Sequence, residues 1–115
     1  MLLYRPVLDI RYYLARDGRS PFENWFGSLD PIARAKVTVA IARLGQGNLS
    51  NAKGVGDGVL EYRINFGPGY RVYFGRDGET LVILLTGGTK KRQQRDIEAA
   101  TAMWADYRQQ KRGTQ

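Results

Sequence analysis

Val59-Leu60-Glu61-Tyr62-Arg63-Ile64-Asn65-Phe66 alternates from Leu60 onward between apolar and polar side chains, Gly67-Pro68-Gly69 breaks the run, and Tyr70-Arg71-Val72-Tyr73-Phe74 alternates again. Successive side chains of a strand point to opposite faces. Leu60, Tyr62, Ile64 and Phe66 therefore share one face with Tyr70, Val72 and Phe74, and Val59, Glu61, Arg63 and Asn65 share the other with Arg71 and Tyr73. The pattern is a β-hairpin with one apolar and one polar face. A three-residue turn at 67–69 predicts Phe66 opposite Tyr70, Ile64 opposite Val72 and Tyr62 opposite Phe74. It also predicts Asn65 opposite Arg71 and Arg63 opposite Tyr73. A slip of one residue would send the apolar set to solvent, so the pattern defends its own faces.

Downstream, Asp77-Gly78 signals a tight turn, and Leu81–Leu85 is apolar on both sides, as a central strand should be. Gly87-Gly88-Thr89-Lys90-Lys91-Arg92 reads as a basic connection. Ile97, Ala100, Trp104 and Tyr107 then recur at helical spacing, so an amphipathic helix closes the chain. Upstream, residues 45–58 read as a Gly- and Asn-rich loop. Before it, Asp30-Pro31 starts a helix running to about Leu44, with Ile32, Ala35, Val39 and Ala42 as its apolar stripe, widened by Val37, Ile41 and Leu44; Gly45 and Gly47 end it. Ser20-Pro21-Phe22-Glu23 is a capping box with proline at the first helical position. Phe22, Trp25, Phe26 and Leu29 follow on one face. Val7–Leu14 reads as a first strand, opened by Pro6 and ended by Asp17-Gly18. The expected order is β-α-α-β-β-β-α, an α+β fold with a twisted, mostly antiparallel sheet and helices packed on it, in one domain over residues 1–115.

Composition narrows the function. There is no cysteine and no histidine, so disulfides, thiol chemistry and the usual base near neutral pH are excluded, and a zinc site would need carboxylates alone. No cofactor is expected. No run of 18 apolar residues suggests a membrane span, and Met1–Pro6 lacks a signal peptide's charged start and apolar middle; a cytoplasmic protein is expected. Lys and Arg number 18 against 11 Asp and Glu, a net charge of +7. A balance this basic in so small a domain points to a polyanionic partner, with general solubility charge as the plainer explanation.

The polar hairpin face concentrates that charge. It holds Arg63, Arg71, Tyr73, Asn65 and Glu61, with Lys53 just upstream and Lys90-Lys91-Arg92 after the neighbouring strand. Arginine forks bind phosphate bidentately, and tyrosine can stack on a base or donate its hydroxyl. The competing explanation is a solvated face with Glu61 paired to Arg63 or Arg71. Glycines before a helix can expose amides to an anion, but Gly87-Gly88 with its lysines lacks the P-loop spacing and equally suits a flexible turn. Trp25 and Trp104 read as core anchors, and Arg108, Lys111 and Arg112 complement the final helix dipole.

Several segments together resemble the Gp49-like, HigB-like addiction-module killer proteins of the RelE/ParE toxin superfamily. They are Gly47-Asn48, Lys53-Gly54-Val55-Gly56-Asp57-Gly58-Val59, Glu61-Tyr62-Arg63-Ile64, Gly67-Pro68-Gly69-Tyr70-Arg71-Val72-Tyr73 and Leu84-Leu85-Thr86-Gly87-Gly88-Thr89-Lys90. Phe22 and Trp25 upstream and Asp96-Ile97 downstream also fit. The resemblance implies a toxin neutralised by a cognate antitoxin, of a helix-turn-helix, HigA-like kind. RelE-like members cut mRNA in the ribosome without a metal; ParE-like members inhibit DNA gyrase; the HigB-like branch favours RNA cleavage. A third possibility is an inactive basic module that only binds antitoxin.

By this resemblance Arg71 stands at the arginine that binds the scissile phosphate. Arg63 matches a basic position on the preceding strand, and Lys90 or Lys91 the basic residue after the last strand. Asn65 stands where RelE has a lysine, and a tyrosine found near Asp96-Ile97 in RelE is absent here. Crowding by other cations lowers a lysine's pKa and suits it to act as a base. Lys53 and Lys90 are candidates for that role, Glu61 is a rival, and Tyr73 a stacking group or proton donor. Lys91, Arg92 and Asn65 are expected to contact the RNA strand.

Overall fold

A computed structural model of the protein describes residues 7–113. The strand signal expected at Pro6 and the leader features of Met1–Pro6 lie outside the described residues. Elements follow in the order β1 (Asp9–Tyr12), α1 (Pro21–Gly27), α2 (Pro31–Gly45), β2 (Ala52–Gly56), β3 (Val59–Ile64), β4 (Tyr70–Asp77) and β5 (Leu81–Thr89). A single 3-10 turn (Lys90–Arg92) then leads into α3 (Gln93–Gly113). The five strands form one sheet in the order β1-β5-β4-β3-β2, antiparallel except for the β1–β5 pair. The expected mixed α+β fold with a mostly antiparallel sheet is observed, enlarged by one strand. β2 lies within the segment read as a loop. Its Ala-Lys-Gly-Val-Gly sequence carries almost no apolar alternation, and pairing to β3 rather than propensity makes it a strand.

The helix starts obey their local signals. The Ser20 hydroxyl accepts from the Glu23 amide at 3.1 Å, and the Asp30 carboxylate accepts from the Ala33 amide at 2.9 Å. Each cap satisfies a backbone donor that the first helical turn leaves unpaired.

Two cores sandwich the sheet. On one face α1 and α2 cover Leu8, Tyr62, Val72, Phe74, Val82 and Leu84 with Phe22, Val37, Ala40 and Leu44. On the other, α3 brings Ala100 and Trp104 down on Tyr13, Val59, Tyr73, Ile83 and Leu85. This corrects the α2 stripe: Ala33, Val37, Ala40 and Leu44 are buried, whereas Ile32, Ala35, Val39 and Ala42 face solvent, Ile32 at 65% exposure. Both stripes have helical spacing. The strand face that α2 meets chooses between them, and the expected stripe missed that constraint.

Strand glycines act as seats for aromatic rings. A Cβ on Gly75 would lie 2.5 Å from the Trp104 ring, and one on Gly87 would collide with the ring of Trp25. Trp25 and Trp104 are thus the anchors expected of them. Gly87-Gly88-Thr89 is accordingly not a loop: β5 continues through it, and only Lys90–Arg92 forms the connection.

Candidate phosphate-binding site

The hairpin register differs from expectation by two residues. Ile64 opposes Tyr70, Tyr62 opposes Val72, Arg63 opposes Arg71 and Glu61 opposes Tyr73. The turn is longer than Gly67-Pro68-Gly69: the Phe66 amide donates to the Ile64 carbonyl at 2.9 Å and the Gly69 amide to the Phe66 carbonyl at 3.0 Å. Left-handed backbone at Gly67 (φ 54°) and Gly69 (φ 78°) makes that loop possible, a conformation open to glycine at little cost. An even-numbered shift leaves the paired side chains on their expected faces, so Glu61, Arg63, Arg71 and Tyr73 stay together while their partners change.

The polar set is not an open sheet face, because the start of α3 lies over it. Glu61 and Tyr73 are fully buried and Arg71 is 6% exposed, whereas Arg63 keeps 47% of its side chain in solvent. Glu61 is the hub. Its Oε1 meets Arg63 Nε at 3.2 Å and Arg71 Nε at 3.5 Å. Its Oε2 accepts from the Tyr73 hydroxyl at 2.9 Å and from Gln93 Nε2 at 2.9 Å. Burial alone would raise the Glu61 pKa. The hydrogen bonds from Gln93, Tyr73 and Arg63 and the charge of Arg71 outweigh it and hold the carboxyl below its ordinary value. Burial, and then the bond to Glu61, push the Tyr73 hydroxyl far above its ordinary value. The ion pairs weighed against a phosphate site are thus present: the Arg71 pair is desolvated, and the Arg63 pair is half open to solvent.

Arg71 is held between Glu61 and the hairpin turn. One Nη donates to the Gly69 carbonyl at 3.1 Å, and its buried Nε makes no hydrogen bond. The same carbonyl accepts from the Lys90 amide at 2.9 Å, which ties the strand–helix junction to the hairpin turn and brings Lys90 beside Arg71. Lys53 is exposed on β2 directly opposite Glu61, on the same face.

The structure thus gathers Arg63, Arg71, Lys53, Lys90, Glu61 and Tyr73. Lys91 and Arg92 are exposed with Gln94 and Arg95 around a separate depression. Asn65 does not pair with Arg71; it sits in the hairpin turn and opens toward α2.

Two neighbours of the cluster, Gln93 and Asp96, were not among the expected site residues. Gln93 follows a basic run and carries no signal of its own. Asp96 presses its carboxylate against Gly88, with Oδ2 buried and unpartnered. Burial raises its pKa against the opposing charges of Arg92 and Arg95. No helix among the described residues is long and apolar enough to cross a membrane.

The family described as phage-derived protein Gp49-like (DUF891) matches residues 24–106, a span that includes every residue of this cluster. A protein of Haemophilus influenzae described as uncharacterized is 45% identical over 80 residues, covering 69% of this chain and 81% of its own length.

Proposed function

The chain belongs to the phage-derived Gp49-like family, part of the RelE/ParE-like toxin group, and from that membership we propose that it is the toxin of a type II toxin–antitoxin pair that cleaves mRNA on the ribosome without a metal. The observation that carries this reading is the Arg63–Arg71 pair, two guanidinium groups facing across the hairpin and held by one buried carboxylate.

RNA supplies its own nucleophile. The 2′-oxygen attacks phosphorus, the P–O2′ bond forms and the P–O5′ bond breaks, leaving a 2′,3′-cyclic phosphate and a 5′-hydroxyl. Charge accumulates on the phosphorane oxygens, and preorganised cations facing them are usually the largest catalytic contribution. Arg63 at the surface and Arg71 at the floor fill that role. Lys53 or Lys90 takes the 2′ proton, and the other can return one to the 5′-oxygen. Proton transfer of this kind contributes about 10²–10⁴-fold. Both Glu61 oxygens already accept hydrogen bonds and the side chain has no solvent exposure. We therefore assign Glu61 and Tyr73 to positioning the arginines, not to the base and proton-donor roles the sequence suggests for them. Lys91, Arg92 and Asn65 contact the strand on either side.

Primer extension on total RNA after induction tests the reading. Codon-spaced 5′ ends are expected with the wild-type protein and not with Arg71→Lys, which keeps the buried charge but loses the fork. Intact mRNA together with DNA-damage signalling would replace this reading with gyrase inhibition. Intact mRNA without any growth effect would leave an antitoxin-binding module.

A further inference from the structure

On the face of β3 turned toward α2, a cleft of about 300 Å³ opens between that helix and the hairpin. Lys36 and Arg43 of α2 line it together with Arg63, and no Asp or Glu does. The amide side chains of Asn51 and Asn65 add neutral donors. Tyr62, only 2% exposed, also lines it, and its hydroxyl is buried with no hydrogen-bond partner. A buried hydroxyl left unpaired is destabilising, and native structures rarely leave one without a reason. Three cations, two amides and an unspent hydroxyl around one small cleft are the donor set of a phosphate site.

We propose that this cleft binds a phosphodiester of the RNA strand adjacent to the linkage being cut, an inference that rests on the nuclease reading of the hairpin. Two observations favour a nucleotide over a protein segment. The cleft shares Arg63 with the Glu61 cluster, so one RNA strand passing the C-terminal end of β3 meets both. Its volume also matches a nucleotide rather than a helix. Phe66 closes one side, with the Lys36 ammonium 5.0 Å from its ring centroid; a base can stack there while Lys36 turns to the phosphate.

The test uses a fluorescein-labelled oligoribonucleotide whose 2′-hydroxyls are methylated, so that it binds without being cut. Affinity is measured by anisotropy over a range of salt. Lys36→Ala/Arg43→Ala is expected to weaken binding about tenfold and to reduce the salt slope by about 1.4, near 0.7 per lost phosphate contact. Tyr62→Phe, which removes one oxygen and keeps the ring, is expected to weaken binding severalfold with the slope unchanged. Thermal melts identify any variant that fails to fold, and Tyr62→Phe covers that case.

Wild-type affinity in both variants overturns the proposal. So does displacement of the probe by inorganic phosphate alone at micromolar concentration, which marks a free-anion site. Binding of a Glu-rich peptide that depends on Lys36 and Arg43 while RNA affinity does not marks a protein interface, and also overturns it. The two readings fail separately. If Arg71→Lys still cuts mRNA while the cleft variants lose affinity, the catalytic assignment falls and the cleft stands. If Arg71→Lys is inactive and the cleft variants bind normally, the reverse holds.

Discussion

Arg63 and Arg71 are direct cross-strand neighbours, and both aim their Nε at the same oxygen of Glu61, at 3.2 and 3.5 Å. Like charges directly opposite one another in a sheet are destabilising. The arrangement persists because one fully buried carboxylate lies between them and is itself fixed by Tyr73 from β4 and Gln93 from α3. Three of these four contacts lie within the hairpin and the fourth, from Gln93, ties it to the last helix, so the geometry of the cationic pair and the docking of the start of α3 share a single side chain.

Glu61→Gln should therefore lower stability at neutral pH by about 3–5 kcal/mol, the usual cost of removing one partner from a buried ion pair. It should also change the acid response. The Glu61 pKa is depressed in the folded chain, so its stabilisation is fully present above the unfolded value near 4.5 and is lost as pH falls through the folded value. Urea unfolding from pH 7 down to pH 3 should show a shallower loss in the variant than in the wild type. Some slope will remain in both, because hydrogen bonds from Lys111 and Tyr107 hold the Asp77 pKa down in the same direction. Parallel pH profiles would show that Glu61 is not the hub.

Gly75→Ala should destabilise the protein by about 1–3 kcal/mol through overpacking, since its Cβ would lie 2.5 Å from the Trp104 ring. Gly54→Ala is the matched control in β2, with nothing within 4 Å of the added carbon. It should be neutral or stabilise by up to about 1 kcal/mol. Chemical denaturation of the two variants side by side decides the matter.

What the sequence reveals here follows from which interactions are local. The strand alternation of 59–74, the Ser20 and Asp30 caps and the ring-bearing face of α1 were legible because each is encoded within a few residues. The two-residue register shift was not, because it depends on hydrogen bonds inside the Phe66 turn. β2 was not, because Lys53 and Gly54 gain strand geometry only from β3. The buried face of α2 was not, because Val37 and Val39 are equally apolar and only the sheet distinguishes them. Arg63, Arg71 and Glu61 were recognisable as a group, but the burial of Arg71 and Glu61 was hidden: α3 covers Glu61 from the far end of the chain, with Gln93 as the contact.

The two faces of α2 give a direct check. Val37→Ala should cost about 2 kcal/mol, because the side chain is fully buried. Val39→Ala, at 47% exposure, should stay within about 0.5 kcal/mol of wild type. Equal losses would restore the stripe read from the sequence.

Alkaline unfolding probes the attachment of α3. Burial, together with a hydrogen bond to Asp106 at 2.7 Å, raises the Tyr13 pKa to about 12. A raised folded pKa favours the neutral phenol, so this stabilisation is present below the unfolded value near 10 and disappears as pH climbs toward 12. The urea midpoint of the wild type should fall across that interval, and that of Tyr13→Phe should fall less. Tyr107, also raised to about 12 by burial and its bond to Asp77, and Tyr73, raised further by burial and its bond to Glu61, supply the slope that remains.

Arg63→Ala separates the chemistry from the scaffold. The Arg63 side chain is 47% exposed, so solvent screens its pair with Glu61 and its loss should cost under about 1 kcal/mol of stability. If it faces the phosphorane, its loss should slow single-turnover cleavage of ribosome-bound mRNA by about 10²–10³-fold, the usual effect of deleting one preorganised donor. Arg63→Lys should recover only part of that rate, because an ammonium restores the charge without the fork. A full rate in Arg63→Ala with an unchanged melting temperature would mean that substrate never meets the exposed arginine. The catalytic contacts would then have to lie with Lys90 and the buried Arg71, which requires the start of α3 to lift off Glu61 before RNA can enter.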